Sequence, residues 1–119
     1  MRAGEQQNCA DLPRAERIAR LNDHLRRSGT GGRIVVTRGV RSLPAFSAET
    51  LLAALREYDR FDAENDPYGE RDFGDLEYCG ASLFFKIDYY SPDANWASEN
   101  PASEALTLRV LTVMLVDEY

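Results

Sequence analysis

The most constraining stretch of this sequence is residues 72–90, where side-chain character alternates with a period of two. Phe85, Ile87 and Tyr89 fall on one side of an extended chain, and Phe84, Lys86, Asp88 and Tyr90 on the other. Cys79-Gly80-Ala81 supplies a tight turn, so residues 72–78 and 83–90 are predicted to form a hairpin. An isolated hairpin is marginal in water and needs cover. The Phe85 side is the natural core face, while the mixed side lies at a solvent boundary or lines a groove.

The cover comes from segments with helical spacing. Over residues 14–27, Ile18, Leu21 and Leu25 recur at intervals of three and four, with Ala15 and Asn22 flanking them. Pro13 suits the first helical turn, Arg26 and Arg27 suit the last, and the glycine-rich residues 29–32 end it. Residues 33–37 read as a short strand through Ile34, Val35 and Val36. A second helix is predicted over residues 47–58, with Ser47 as N-cap and Leu51, Leu52, Leu55 and Tyr58 as its apolar face. Residues 59–72 are polar and broken by Pro67 and Gly69, so they form a loop. For residues 102–119 the length favours a helix, although Val110, Thr112, Val113 and Val116 argue for a strand. The resulting order, α-β-α-β-β-α, defines an α+β fold: a small antiparallel sheet with a central hairpin, covered by two or three helices.

A chain of 119 residues accommodates one core. The expected organisation is a flexible tail over residues 1–12 and a single α+β domain over 13–119. The longest apolar-rich run, residues 110–116, is far shorter than a membrane span of about 20 residues, and the start lacks a signal-peptide core. The expected location is cytoplasmic, with no membrane contact. Cys9 and Cys79 form no CxxC pair and read as two reduced thiols.

Charge is divided along the chain. Residues 1–40 balance at +4 and residues 41–119 at -10, and nine acids face two arginines within residues 57–77. Dense carboxylates steer association with a basic surface. A basic patch near the first helix, from Arg14, Arg17, Arg20, Arg26, Arg27, Arg33 and Arg38, is the counter-argument for nucleic acid. The overall charge of -6 and the lack of any helix-turn-helix or zinc-finger spacing disfavour direct nucleic-acid binding.

Several ordered motifs carry a resemblance. Asn65-Asp66-Pro67-Tyr68-Gly69-Glu70-Arg71-Asp72-Phe73-Gly74 resembles the pattern NDPxGEHDFG, residues 85–90 (FKIDYY) resemble WKIDYY, and residues 109–119 resemble RVLTIMLAxEY. Residues 17–22 and 32–40 add weaker similarity. Over roughly residues 14–119 the chain is thereby similar to the DUF3768 family, small bacterial proteins of unknown function, largely alphaproteobacterial and sometimes encoded near mobile-element genes. The resemblance implies no activity. It also implies two departures, Arg71 in place of a histidine and Phe85 in place of a tryptophan.

No catalytic residue, cofactor or metal ligand set emerges from the residue patterns. His24 has no neighbouring nucleophile or acid in sequence. Asp62, Glu64 and Asp66 begin like a calcium loop, but Pro67 and Phe73 stand where glycine and glutamate are required. Glycines 29, 31 and 32 follow a helix and precede a strand, the reverse of a phosphate loop. The expected function is a non-enzymatic protein-interaction module, a mobile-element accessory or anti-defence protein, binding a partner with a basic surface. Its candidate surface is Tyr58, Asp62, Glu64, Asp66, Tyr68, Glu70, Asp72, Lys86, Asp88, Tyr90 and Trp96. Two alternatives stand beside it: a small hydrolase or cation-dependent enzyme using Asp66, Glu70, Asp72, Lys86 and Asp88, and a homo-oligomer self-associating through the apolar C-terminal segment.

Overall fold

Helix α1 (Arg14–Ser28) opens the computed structural model, which describes residues 12–119. The tail expected over residues 1–12 thus lies, apart from Leu12, outside the described residues, as does Cys9. Gly29 ends α1 in the left-handed region (φ 77°) and donates its N–H to the Leu25 carbonyl at 2.9 Å. Strand β1 (Arg33–Val36) follows, then a single turn of helix, α2 (Arg38–Arg41), that the sequence pattern did not announce. Helix α3 (Ala48–Glu57) starts where expected, with Ser47 Oγ accepting from the Thr50 N–H at 3.3 Å.

The hairpin is present as β2 (Phe73–Tyr78) and β3 (Ala81–Tyr90). Cys79 and Gly80 at the turn both have positive φ, 53° and 77°, as a two-residue hairpin turn of matching twist requires. The last strand, β4 (Leu108–Leu115), runs into a 3-10 turn at Val116–Glu118. The helix expected over residues 102–119 is therefore a loop and a strand. The β-branched residues decide it: β4 lies between two neighbours, so Leu111 and Val113 reach the core and Val110 and Thr112 fill the opposite face.

The sheet order is β1-β4-β3-β2. β2–β3 and β3–β4 are antiparallel, but β1 pairs with β4 in parallel, so the sheet is mixed rather than wholly antiparallel. The physical cause is the long connection from β1 through two helices and the hairpin before the chain returns beside it.

Both longer helices pack on one face. Leu25 of α1 and Leu51 and Leu55 of α3 meet Leu76, Phe85, Ile87, Leu111 and Val113 in the core. Tyr58, expected on the interaction surface, belongs to this core at 4% exposure, edge-on to Phe61 and Phe85 with ring centroids 4.9 and 5.1 Å apart. Conversely Leu52, assigned to the apolar face of its helix, stays exposed. Among the described residues, neither of the longer helices covers the other sheet face. It presents Phe73 and Asp75 of β2, Phe84, Lys86, Asp88 and Tyr90 of β3, and Val35 of the edge strand β1.

Gly74 sits opposite Phe85 in the β2–β3 register, and the missing side chain makes room for two rings. A Cβ there would come within 2.7 Å of Phe85 Cζ and of Tyr58 Cζ. We expect Gly74→Ala to lose about 2 kcal/mol of stability through overpacking, measured by urea unfolding. An unchanged midpoint would show that the two rings yield freely.

Candidate functional site

The acidic loop is shaped by its own side chains. Asp62 Oδ1 accepts the N–H groups of Glu64 and Asn65 at 2.9 and 3.0 Å, and the Asp66 N–H returns to the Asp62 carbonyl at 2.9 Å. Asp66 Oδ1 in turn accepts the Arg71 N–H at 2.9 Å, holding Arg71 in the left-handed region at φ 54°. Glu64 stays exposed, and Tyr68 is 81% exposed.

Beneath the loop runs a buried polar network that ties α1 to the sheet. Asn22 Nδ2 donates to the Glu70 carbonyl at 3.0 Å and to the Tyr89 hydroxyl at 2.8 Å. Tyr89 donates to Glu70 Oε1 at 3.0 Å. Arg109, 1% exposed, donates from Nε to Asn22 Oδ1 at 2.9 Å and from Nη2 to the Pro101 carbonyl, with its guanidinium 5.3 Å from the Tyr89 ring centroid. Burial lowers the pKa of Arg109 and raises that of Tyr89, which stays a neutral donor.

Beside this network, Arg71 pairs with Asp23 at 2.9 Å and Glu16 at 3.4 Å on α1. Arg26, expected in a basic surface patch, is buried instead. Its Nη1 donates to the carbonyls of Leu55 and Tyr58, each at 2.8 Å, and its Nη2 meets Asp23 at 2.9 Å. His24 is exposed, with Nε2 2.9 Å from Thr30 Oγ1.

The carboxylates named for acid–base chemistry are divided by the sheet. Glu70 turns to Tyr89 on the helix side, whereas Lys86 and Asp88 form a 3.0 Å ion pair on the open side. The single cluster that the topology invited does not assemble. Asp72 lies between, its carbonyl accepting the Ile87 N–H at 2.8 Å. Burial first, and the nearby Glu70 second, push its carboxyl pKa up. Among the described residues, no group of three or more His, Cys, Asp or Glu is arranged to hold a metal ion, and no helix is long and apolar enough to cross a membrane. Cys79 is an exposed free thiol.

On the open side the loop and the sheet share a groove of about 590 Å³. Phe73, Phe84 and Tyr119 cluster with ring centroids 5.0 to 6.1 Å apart, and Asp62, Glu64 and Asp75 stand around them. Of the residues expected at an interaction surface, only Asp62 and Glu64 line this groove. Tyr90 and Trp96 are exposed without lining it, Trp96 at 75%. Phe84, on the strand face expected at a solvent boundary or in a groove, does line it, whereas Phe73, Asp75 and Tyr119 carry no such expectation.

A family model described as a protein of unknown function, DUF3768, matches residues 36–118. The chain belongs to the DUF3768 family. No curated protein and no solved structure matches it. The family match holds the acidic loop, the hairpin and β4, and thus Glu70, Tyr89 and Arg109; Asn22, which joins them, lies on α1 before the matched span.

Two predictions follow the network. Asn22→Ala leaves Arg109 Nε and the Tyr89 hydroxyl short of a partner inside the protein, so we expect a loss of about 3 kcal/mol in denaturant unfolding. The exposed His24→Ala should change stability by less than about 0.5 kcal/mol; equal effects from both would refute a central role for Asn22. The raised pKa of Asp72 means that the folded state holds its proton more tightly than the unfolded chain. Its charge thus disfavours folding at neutral pH, and the penalty disappears as pH falls through the raised folded pKa. Asp72→Asn should therefore be the more stable protein at neutral pH, its advantage shrinking on acidification. Parallel melting curves for the two proteins would be inconsistent with that origin.

Proposed function

We propose that this protein is a non-enzymatic interaction module that engages a basic surface of a protein partner. One observation carries the reading: the acidic loop and three clustered aromatic rings border the same groove, on the sheet face that the helices leave uncovered. Carboxylates around an aromatic floor combine long-range steering of cations with an apolar surface for close contact. The surrounding charge supports the same sign of partner, since nine of the acids fall within residues 57–77.

In this reading the acidic residues divide the work. Asp62, Asp66 and Glu70 hold the loop in shape, while Glu64 and Asp75 face outward to the partner. Tyr68, Tyr90 and Trp96 are exposed aromatic side chains outside the groove. The resemblance to proteins encoded near mobile elements supports a cytoplasmic accessory or anti-defence role. The apolar C-terminal segment on which self-association would rest is used inside the fold, where Leu111 and Val113 are fully buried.

Affinity capture from a host lysate tests the proposal, with wild type compared with the triple variant Asp59→Asn, Glu64→Gln, Asp75→Asn. These carboxylates are exposed, and among the described residues their side chains make no hydrogen bond, so the fold should survive their neutralisation. A captured basic protein should be lost by the variant and released as salt rises. Retention indifferent to both changes would remove the acidic face from the function.

A further inference from the structure

We infer that the groove between the acidic loop and the open sheet face is a seat for an arginine side chain, carried on an extended basic segment of the partner. The inference rests on the interaction reading above and names the chemistry recognised at that site. The groove has two kinds of wall. Its floor is the cluster of Phe73, Phe84 and Tyr119, with Tyr119 edge-on to both phenylalanines at 78° and 82°, and its rim bears Asp62, Glu64 and Asp75. Tyr119 is 74% exposed, so its ring is largely open to solvent.

That combination favours guanidinium over ammonium. A guanidinium is planar and weakly hydrated; it lies flat on an aromatic face while its edge donates two parallel hydrogen bonds to one carboxylate. An ammonium is a compact, strongly hydrated point charge and gains less from the ring. The protein already brings one arginine to an aromatic ring beside Asp75. Arg60 lies over the Tyr58 ring, 4.9 Å from its centroid, and donates from Nη2 to the Asp75 carbonyl at 2.5 Å. Among the described residues nothing hydrogen-bonds the Asp75 carboxylate, which leaves it for an incoming donor.

The position of Tyr119 is set by the residue before it. Glu118 Oε1 accepts from Thr37 Oγ1 at 2.6 Å and from the Leu115 N–H at 2.8 Å, and Oε2 accepts from the Gly39 N–H at 3.2 Å. The Thr37 hydrogen bond, foremost, keeps the Glu118 pKa low. The terminal turn is thereby pinned to the start of α2, and Tyr119 is held over Phe73 and Phe84 before any partner arrives.

The test uses the full chain with two probes of equal charge, capped hexa-arginine and capped hexa-lysine peptides, with affinities read by calorimetry. Hexa-arginine should bind about tenfold more tightly. Tyr119→Ala should remove most of that preference while leaving hexa-lysine binding nearly unchanged. Glu64→Gln with Asp75→Asn should weaken both peptides, and Glu99→Gln with Glu104→Gln, outside the groove, should weaken neither. Equal binding of the two peptides, or a preference that survives Tyr119→Ala, overturns the arginine seat and leaves the basic-partner reading standing. Weakening by the Glu99/Glu104 pair as great as by the Glu64/Asp75 pair overturns the groove as the place of binding. Failure of both peptides to bind overturns the seat, and loss of the captured partner in the triple variant then decides the broader reading separately.

Discussion

Arg109 is the residue around which the architecture is organised. A guanidinium at 1% exposure costs several kcal/mol in desolvation unless its donors are met, on the order expected for a buried ion. No carboxylate pairs with it directly among the described residues. Asn22 of α1, the Pro101 carbonyl before β4 and the Tyr89 ring of β3 meet it instead. Each comes from a different segment, so satisfying one cation fixes the helix, the central strands and a loop against one another. Glu104 and Glu70 supply the compensating charge, Glu70 at one remove through the Tyr89 hydroxyl that Asn22 also holds.

This arrangement changes the meaning of the basic half of the chain. Counted along the sequence, residues 1–40 are strongly positive. In the structure Arg26 is turned inward onto the carbonyls at the end of α3, and Glu16 and Asp23 draw Arg71 from the acidic half across to α1. Arg26 and Arg71 therefore join layers here, while Arg14, Arg20, Arg27, Arg33 and Arg38 of the basic half remain exposed. The pKa of Asp72 is raised chiefly by its burial and secondarily by the nearby Glu70.

Much of the scaffold was legible because its periodicities are local. The hairpin alternation, the Ser47 cap and the spacing of Ile18 and Leu25 each determine an element from a few adjacent residues. The C-terminal segment was not, because a strand flanked on both sides buries alternate residues without looking amphipathic. Read as a strand, Arg109 shares the parity of Leu111 and Val113 and must point inward; read as a helix, that signal vanishes. Asn22 carried a similar clue, one helical turn from Ile18 on the buried face. The groove was harder still. Phe73, Phe84 and Tyr119 come from three separate segments, and their convergence depends on sheet register and on the terminal turn.

The open sheet face follows from this economy of layers. Two helices of 15 and 10 residues suffice to cover one side of a four-stranded sheet, and the chain has no third helix of comparable length among its described residues. An uncovered face could simply be polar. Here it is polar in the middle, where Lys86 pairs with Asp88, and aromatic at the end near the acidic loop. The aromatic end is held by a specific device. Gly39 lacks the Cβ that would come within 2.6 Å of Glu118 Oε2, so the Glu118 carboxylate can reach the Gly39 N–H and hold the terminal turn in place. A glycine, a buttressed glutamate and a tyrosine laid across two phenylalanines are more than a core of this size requires. Their shared consequence is an aromatic surface beside Asp62, Glu64 and Asp75, the surface on which the proposed recognition rests.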